Sequence, residues 1–240
     1  MASYVLMAAV TVVACAGAVL LRKRPDMAAR TGFISWISLT LYFVIDLVVL
    51  GRTSAPYDVL RQPMSDLGVT TCGTGTYPLA PYAICSPSHL LMNWTFTLTG
   101  VVIAVGAILL HQFWPRGRRA VAATVLLVIY GLSYSIAGIV PADVAFLWHT
   151  LGSLPGMFVQ IPALLLIALA MRSRMPSVAA WTSVCLAITI GSLLLLLLQP
   201  VVPQLPGGLL QRLLYGSVYL WMVVTAILLW KHHTPRASPA

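Results

Sequence analysis

Seven uninterrupted apolar runs of about 20 residues dominate this chain of 240 residues, at approximately 2–21, 31–50, 89–110, 120–140, 147–171, 178–198 and 209–230. A bilayer core about 30 Å thick takes about 20 apolar residues as helix. In lipid every backbone polar group must be satisfied within its own segment, so helices are the expected form. A β-barrel would show alternation over segments of about ten residues, and these runs are continuous. The expectation is an all-α integral membrane protein with seven transmembrane helices in a single bundle over 1–240. Only 8% of residues are charged, against about 25% in a soluble domain. The net charge of +9 does not mark a nucleic-acid binder, because the cations sit in short clusters between apolar runs.

Those clusters orient the chain. Lys and Arg gather on the cytoplasmic side of membrane proteins. With the N-terminus outside, cytoplasmic segments hold Arg22, Lys23, Arg24, Arg30, Arg116, Arg118, Arg119, Arg172, Arg174, Lys231 and Arg236. Only Arg52, Arg61 and Arg212 remain outside. The expected topology is N-terminus outside and C-terminus cytoplasmic, with 231–240 as a cytoplasmic tail, in a bacterial inner membrane. The first run has its cations after the apolar stretch, which favours an uncleaved helix over a signal peptide. The weak cleavage-like stretch at residues 14–18 is the contrary sign.

All five acids are Asp, and the chain has no Glu. Asp26 is cytoplasmic, whereas Asp46, Asp58, Asp66 and Asp143 fall in outer loops or outer helix halves. His89 and His149 join them, so polar chemistry is expected on the outer face. The one long outer loop, 51–88, reads as a lid on the bundle, since long loops are functional or disordered. It carries Cys72 and Cys85 on the oxidising side. A disulfide between them would contribute about 3 kcal/mol by chain entropy, and two free thiols are the alternative. Cys15 and Cys185 read as packing residues.

Helical spacing places polar residues in stripes. They are Ser35, Ser38, Tyr42 and Asp46; His89, Asn93, Thr97 and Gly100; Tyr130, Ser133 and Ala137; His149, Ser153, Gly156 and Gln160; and Gln211, Tyr215 and Tyr219. Stripes on several helices imply a shared polar interior, with hydrogen bonding between helices as the plainer reading for the serines and threonines. The sixth run is almost wholly apolar and is expected to face lipid. Pro155, Pro162, Gly152 and Gly156 place a bend below His149, suited to a pocket floor.

Three stretches bear a resemblance. Pro63-Met64-Ser65-Asp66-Leu67-Gly68, the Asn93 region, and Gly138-Ile139-Val140-Pro141-Ala142-Asp143 followed by His149 resemble the membrane family called domain of unknown function 998. The likeness covers roughly 31–198. It implies a multi-helix bundle and no established activity, and the Cys72–Cys85 insertion departs from the usual pattern.

The leading expectation is an enzyme on a lipid or isoprenoid substrate, in an outward-facing pocket capped by the lid. Asp66 and Asp143 would be the acid–base pair, supported by His149, with Asp46 a deeper acid. A carboxyl in an apolar pocket can stay protonated and donate. Aromatic faces stabilise a carbocation, so proton-initiated terpene cyclisation is one form of this reading, by analogy of architecture only. His89, Asn93, Tyr42, Trp94, Trp148, Tyr215 and Tyr219 would contact substrate, although Trp94 and Trp148 also suit an interfacial belt. No cofactor or metal is expected. A zinc site from His89, His149 and Asp would lack the usual spacing. Expected partners are the lipid bilayer and a hydrophobic small molecule. The alternatives are a non-catalytic lipid-binding or scaffold protein, and a transporter, for which no internal repeat is visible. A triad of Ser65, His149 and Asp143 lacks a nucleophile elbow.

Overall fold

The computed structural model describes residues 2–233. Its helices are α1 (Ala2–Leu21), α2 (Pro25–Ile37), α3 (Thr40–Leu50), α4 (His89–Leu110), α5 (Arg118–Ile139), α6 (Phe146–Met171), α7 (Pro176–Leu198) and α8 (Gly207–His233). Taking α2 and α3 as one span, seven helices among the described residues are long and apolar enough to cross a membrane. Lys231 belongs to α8, while residues 234–240 of the expected tail, Arg236 included, lie outside the described residues.

One expected span differs in form. The second begins at Pro25, where proline at a helix start removes no needed hydrogen bond. It is then interrupted at Ser38 and Leu39. Three hydroxyls explain the break. Ser35 donates to Thr31 O, Ser38 to Ser35 O and Thr40 to Ile37 O. Such side chains compete with the helical ladder, and the backbone here shifts to three-residue spacing, Leu41 N–H to Ser38 O and Tyr42 N–H to Leu39 O. Ser35 and Ser38 thus bond within their own segment rather than across helices.

The helices form a ring in chain order. α2 packs on α4, α4 on α5, α5 on α6, α6 on α7, α7 on α8, and α8 returns to α2. α1 lies outside against α4 and α5. The α4–α5 contact is close because a Cβ on Gly100 would strike the backbone carbonyl of Gly131. Between α5 and α6, Ser133 does more than join two helices. Its hydroxyl donates to Gly152 O and accepts from Gly156 N–H at 2.9 Å. It therefore occupies the rung between Gly152 and Gly156, beside Pro155, which has no N–H of its own. A side chain inserted in the ladder is a recognised cause of helix bending. α7 exposes much of its surface, as its apolar sequence implies. Its inner face still buries Thr182 and Thr189, bonded to Trp221 and Ser217 of α8.

Residues 51–88 are not wholly irregular. A 3-10 turn spans Met64–Gly68, and a two-stranded antiparallel hairpin pairs β1 (Gly73–Thr74) with β2 (Ala83–Ile84). Cys72 and Cys85, flanking the hairpin, form a disulfide. Among the described residues, the all-α expectation is amended by this short hairpin alone.

Candidate functional site

The turn Met64–Gly68 plugs one mouth of the ring. Met64 and Leu67 are apolar and buried, which draws this segment off the surface. Polar side chains from four places then hold it. Tyr42 of α3 donates its hydroxyl to Met64 Sδ at 3.0 Å. Asn93 of α4 donates to Gly68 O at 2.9 Å. Gln211 of α8 accepts from Met64 N–H at 2.8 Å. Asp143, in the α5–α6 connection, accepts from the backbone N–H and hydroxyl groups of Thr70 and Thr71 at 2.7–3.1 Å. Arg212 adds bonds to Val59 O, Gln62 O and the Tyr57 hydroxyl. Glycine at position 68 leaves room for Asn93, since a Cβ there would meet its carboxamide oxygen.

Beneath the plug lies a cavity of about 60 Å³. Its walls are Met64 and Ser65 of the plug, Phe96 of α4, Tyr134 and Ala137 of α5, His149, Ser153, Gly156 and Met157 of α6, and Gln211 and Tyr215 of α8. α6 runs as one helix with Pro155 and Pro162 inside it, and Gly156 stands in this wall with His149 and Ser153. His149 Nδ1 lies 2.7 Å from Val140 O. A carbonyl only accepts, so Nδ1 carries a proton, and a neutral ring would have its lone pair on Nε2.

The other expected site residues have different surroundings. Asp66 is 0% exposed and absent from the cavity wall. It accepts hydrogen bonds from Tyr77, from Tyr82 at 3.0 Å and from Gln62 at 3.4 Å. Burial pushes its carboxyl above the usual range, and these donors pull it partly back. Burial, and then the nearby Asp66, push the Tyr77 and Tyr82 phenols upward. Asp143 is taken up with Thr70 and Thr71, so the two expected acid–base partners do not share the cavity. Asp46 is buried in α3, 3.9 Å from Arg212. Its Oδ1 has no hydrogen bond among the described residues.

His89 Nδ1 faces Ser86 O at 3.1 Å at the start of α4. Among the described residues no three His, Cys, Asp or Glu side chains form a metal-ligand cluster, so His89 and His149 are not brought together in one. Tyr219 is buried deeper, its ring 5.0 Å from Tyr42 and 5.6 Å from Tyr134. Trp94 is outside the cavity wall, and Trp148 is 66% exposed, which fits the belt reading. Tyr215 is the one expected contact residue, besides His149, that lines the cavity. Sequence reasoning missed Phe96, Tyr134, Met64 and Met157. Tyr134 follows Tyr130 by four residues on one helical face, which was a usable signal. The other three are apolar and carried none.

A family model described as a protein of unknown function, DUF998, matches residues 36–228. No curated protein and no solved structure matches the chain.

Proposed function

Starting from the fact that the chain belongs to the DUF998 family, we propose that it is a membrane-embedded enzyme that takes the polar end of a lipid or isoprenoid into the plugged cavity and uses His149 as its acid–base group. One observation carries this reading. His149 is the titratable imidazole in the cavity wall, its tautomer fixed by Val140 O, and a general base needs its lone pair held toward the reacting group. The carboxylates receive a different part from the one expected of them. Asp66 and Asp143 hold the lid, and proton transfer passes to His149. At about 60 Å³ the cavity suits a head group. A whole drug-sized ligand needs roughly 300–1,000 Å³, so head-group chemistry is favoured over cyclisation of a folded chain.

The orientation belongs to the same proposal. Arg22, Lys23, Arg24, Arg30, Arg116, Arg118, Arg119, Arg172, Arg174 and Lys231 cluster at or beyond the helix ends remote from the plug. This charge bias supports a cytoplasmic basic end, an N-terminus outside and the plug on the outer face of a bacterial inner membrane. The disulfide, on the plug side, agrees with an oxidising compartment.

The test is mass spectrometry of small molecules retained by gently purified protein. Wild type should hold a specific amphiphile. Ala137→Phe, which fills the cavity, should lose it. His149→Gln should accumulate it in a chemically unprocessed form. Identical bulk phospholipid in all three preparations would refute the reading. A second reading, a non-catalytic lipid-binding protein, is favoured by the engagement of Asp66 and Asp143 in lid contacts. It expects the same unaltered amphiphile in wild type and His149→Gln.

A further inference from the structure

The cavity wall contains no Lys, Arg, Asp or Glu. A phosphate or carboxylate placed there would lack a counter-charge, at a large desolvation cost. A polyol would need many hydrogen-bond partners, yet most polar groups in the wall are already committed within the protein. Gln211 Oε1 accepts from Met64 N–H, Ser153 donates to Thr150 O, and His149 Nδ1 donates to Val140 O. Ser65 lies within reach of the Tyr77 hydroxyl. A primary ammonium would meet the same shortage, because each of its three N–H groups needs an acceptor.

Besides the Nε2 lone pair of His149 and the amide N–H groups of Gln211, what remains available is mostly aromatic and sulfur surface. Phe96 and Tyr134 stand at 89° with centroids 5.6 Å apart, and Tyr134 and Tyr215 at 60° and 5.3 Å. These rings meet at a corner of the wall, and Met64 and Met157 also line the cavity. Ring faces attract cations, and quaternary ammonium groups are held in aromatic cages because they need no hydrogen-bond acceptor. The size agrees. About 60 Å³ is room for a compact group larger than a water and far smaller than a whole drug-sized ligand.

We propose that the plugged cavity is an aromatic cage, built by Phe96, Tyr134 and Tyr215, for a quaternary ammonium head group. This rests on the reading that the cavity takes the polar end of an amphiphile. It names the chemistry of that end.

The experiment places the full chain in phosphatidylglycerol nanodiscs and measures saturable binding of radiolabelled choline. Competitors are tetramethylammonium and the uncharged choline isostere in which tert-butyl replaces trimethylammonium. Tetramethylammonium should displace choline, and the neutral isostere should be weaker by about tenfold or more. Tyr215→Leu should weaken choline binding about tenfold, and Tyr215→Phe, which keeps the ring, should recover most of that loss. Phosphatidylcholine nanodiscs separate the sources. Loss of choline binding there assigns the cage to a lipid head group, and unchanged binding assigns it to a free ammonium compound. Absence of saturable binding in phosphatidylglycerol, or equal displacement by the neutral isostere, overturns the cage. If a retained amphiphile without an ammonium is then found by mass spectrometry, the cavity reading survives and this inference alone fails.

Discussion

Replacing Asp143 by alanine should loosen the lid far more than replacing it by asparagine. One carboxylate oxygen, Oδ2, receives all four donors from Thr70 and Thr71, while Oδ1 is buried with no hydrogen bond among the described residues. A hydrogen bond to a charged group contributes about 1.5–3 kcal/mol net. Four donors sharing one oxygen cannot each deliver that amount, and Thr71 is exposed enough for water to replace its bonds. A combined loss of about 3 kcal/mol for Asp143→Ala is therefore reasonable. Asparagine can keep its carbonyl oxygen at the Oδ2 position and turn its amide nitrogen to the vacant Oδ1 side. The four contacts survive at roughly half strength without the charge, for a loss near 1.5 kcal/mol.

These energies convert to opening rates. Hydrogen exchange over residues 69–74 should rise by roughly 150-fold in Asp143→Ala and by about tenfold in Asp143→Asn, at 1.4 kcal/mol per factor of ten. Helix amides in the ring should be unaffected. If alanine leaves exchange within twofold of wild type, the contacts do not hold the lid. If asparagine equals alanine, the charge itself is essential, and a proton-transfer role for Asp143 regains its standing.

The remaining predictions concern the buried acid and the helix contact. Because the folded-state pKa of Asp66 is raised above 3.8, the folded lid binds the proton more tightly than the open one. Lid stability should be greatest below about pH 3.8, should fall as pH rises through the raised value, and should level off above it. Exchange of residues 62–82 against pH should show that decline in wild type and a flat profile in Asp66→Asn; a rise in stability over the same window would contradict the assignment. Gly100→Ala would press a Cβ onto Gly131 O, and should destabilise the bundle by about 1–3 kcal/mol. Gly17→Ala on α1 meets nothing within 4 Å and should leave the melting temperature in detergent unchanged or slightly higher. Equal melting of the two variants would refute the close α4–α5 contact.

The seven spans were legible because twenty apolar residues have few alternatives to a helix in lipid. The break at Ser38 was not, because the stripe containing Ser35 and Ser38 says only that hydroxyls share a face. Whether such a hydroxyl reaches a neighbouring helix or its own carbonyls depends on rotamers that spacing does not encode. Ser133 shows the opposite outcome from the same kind of signal, since its hydroxyl crosses to α6 and takes over a backbone rung.

The carboxylates drew a functional reading for a more general reason. Ionisable groups near membrane depth are costly and attract functional readings, and Asp66 and Asp143 were the obvious candidates. The sequence does not reveal that Thr70 and Asp143, separated by 73 positions, meet above the plug. Once they do, the economy of the lid is apparent. It exposes backbone donors at Thr70 and Thr71 and phenols at Tyr77 and Tyr82, and each group finds a carboxylate instead of water. Tyr42, Asn93 and Gln211 hold the plug itself, so its polar anchors come from α3, α4, the α5–α6 connection and α8. Lifting the plug would break those contacts together. A ligand that enters meets walls whose uncommitted surface is mostly the rings of Phe96, Tyr134 and Tyr215.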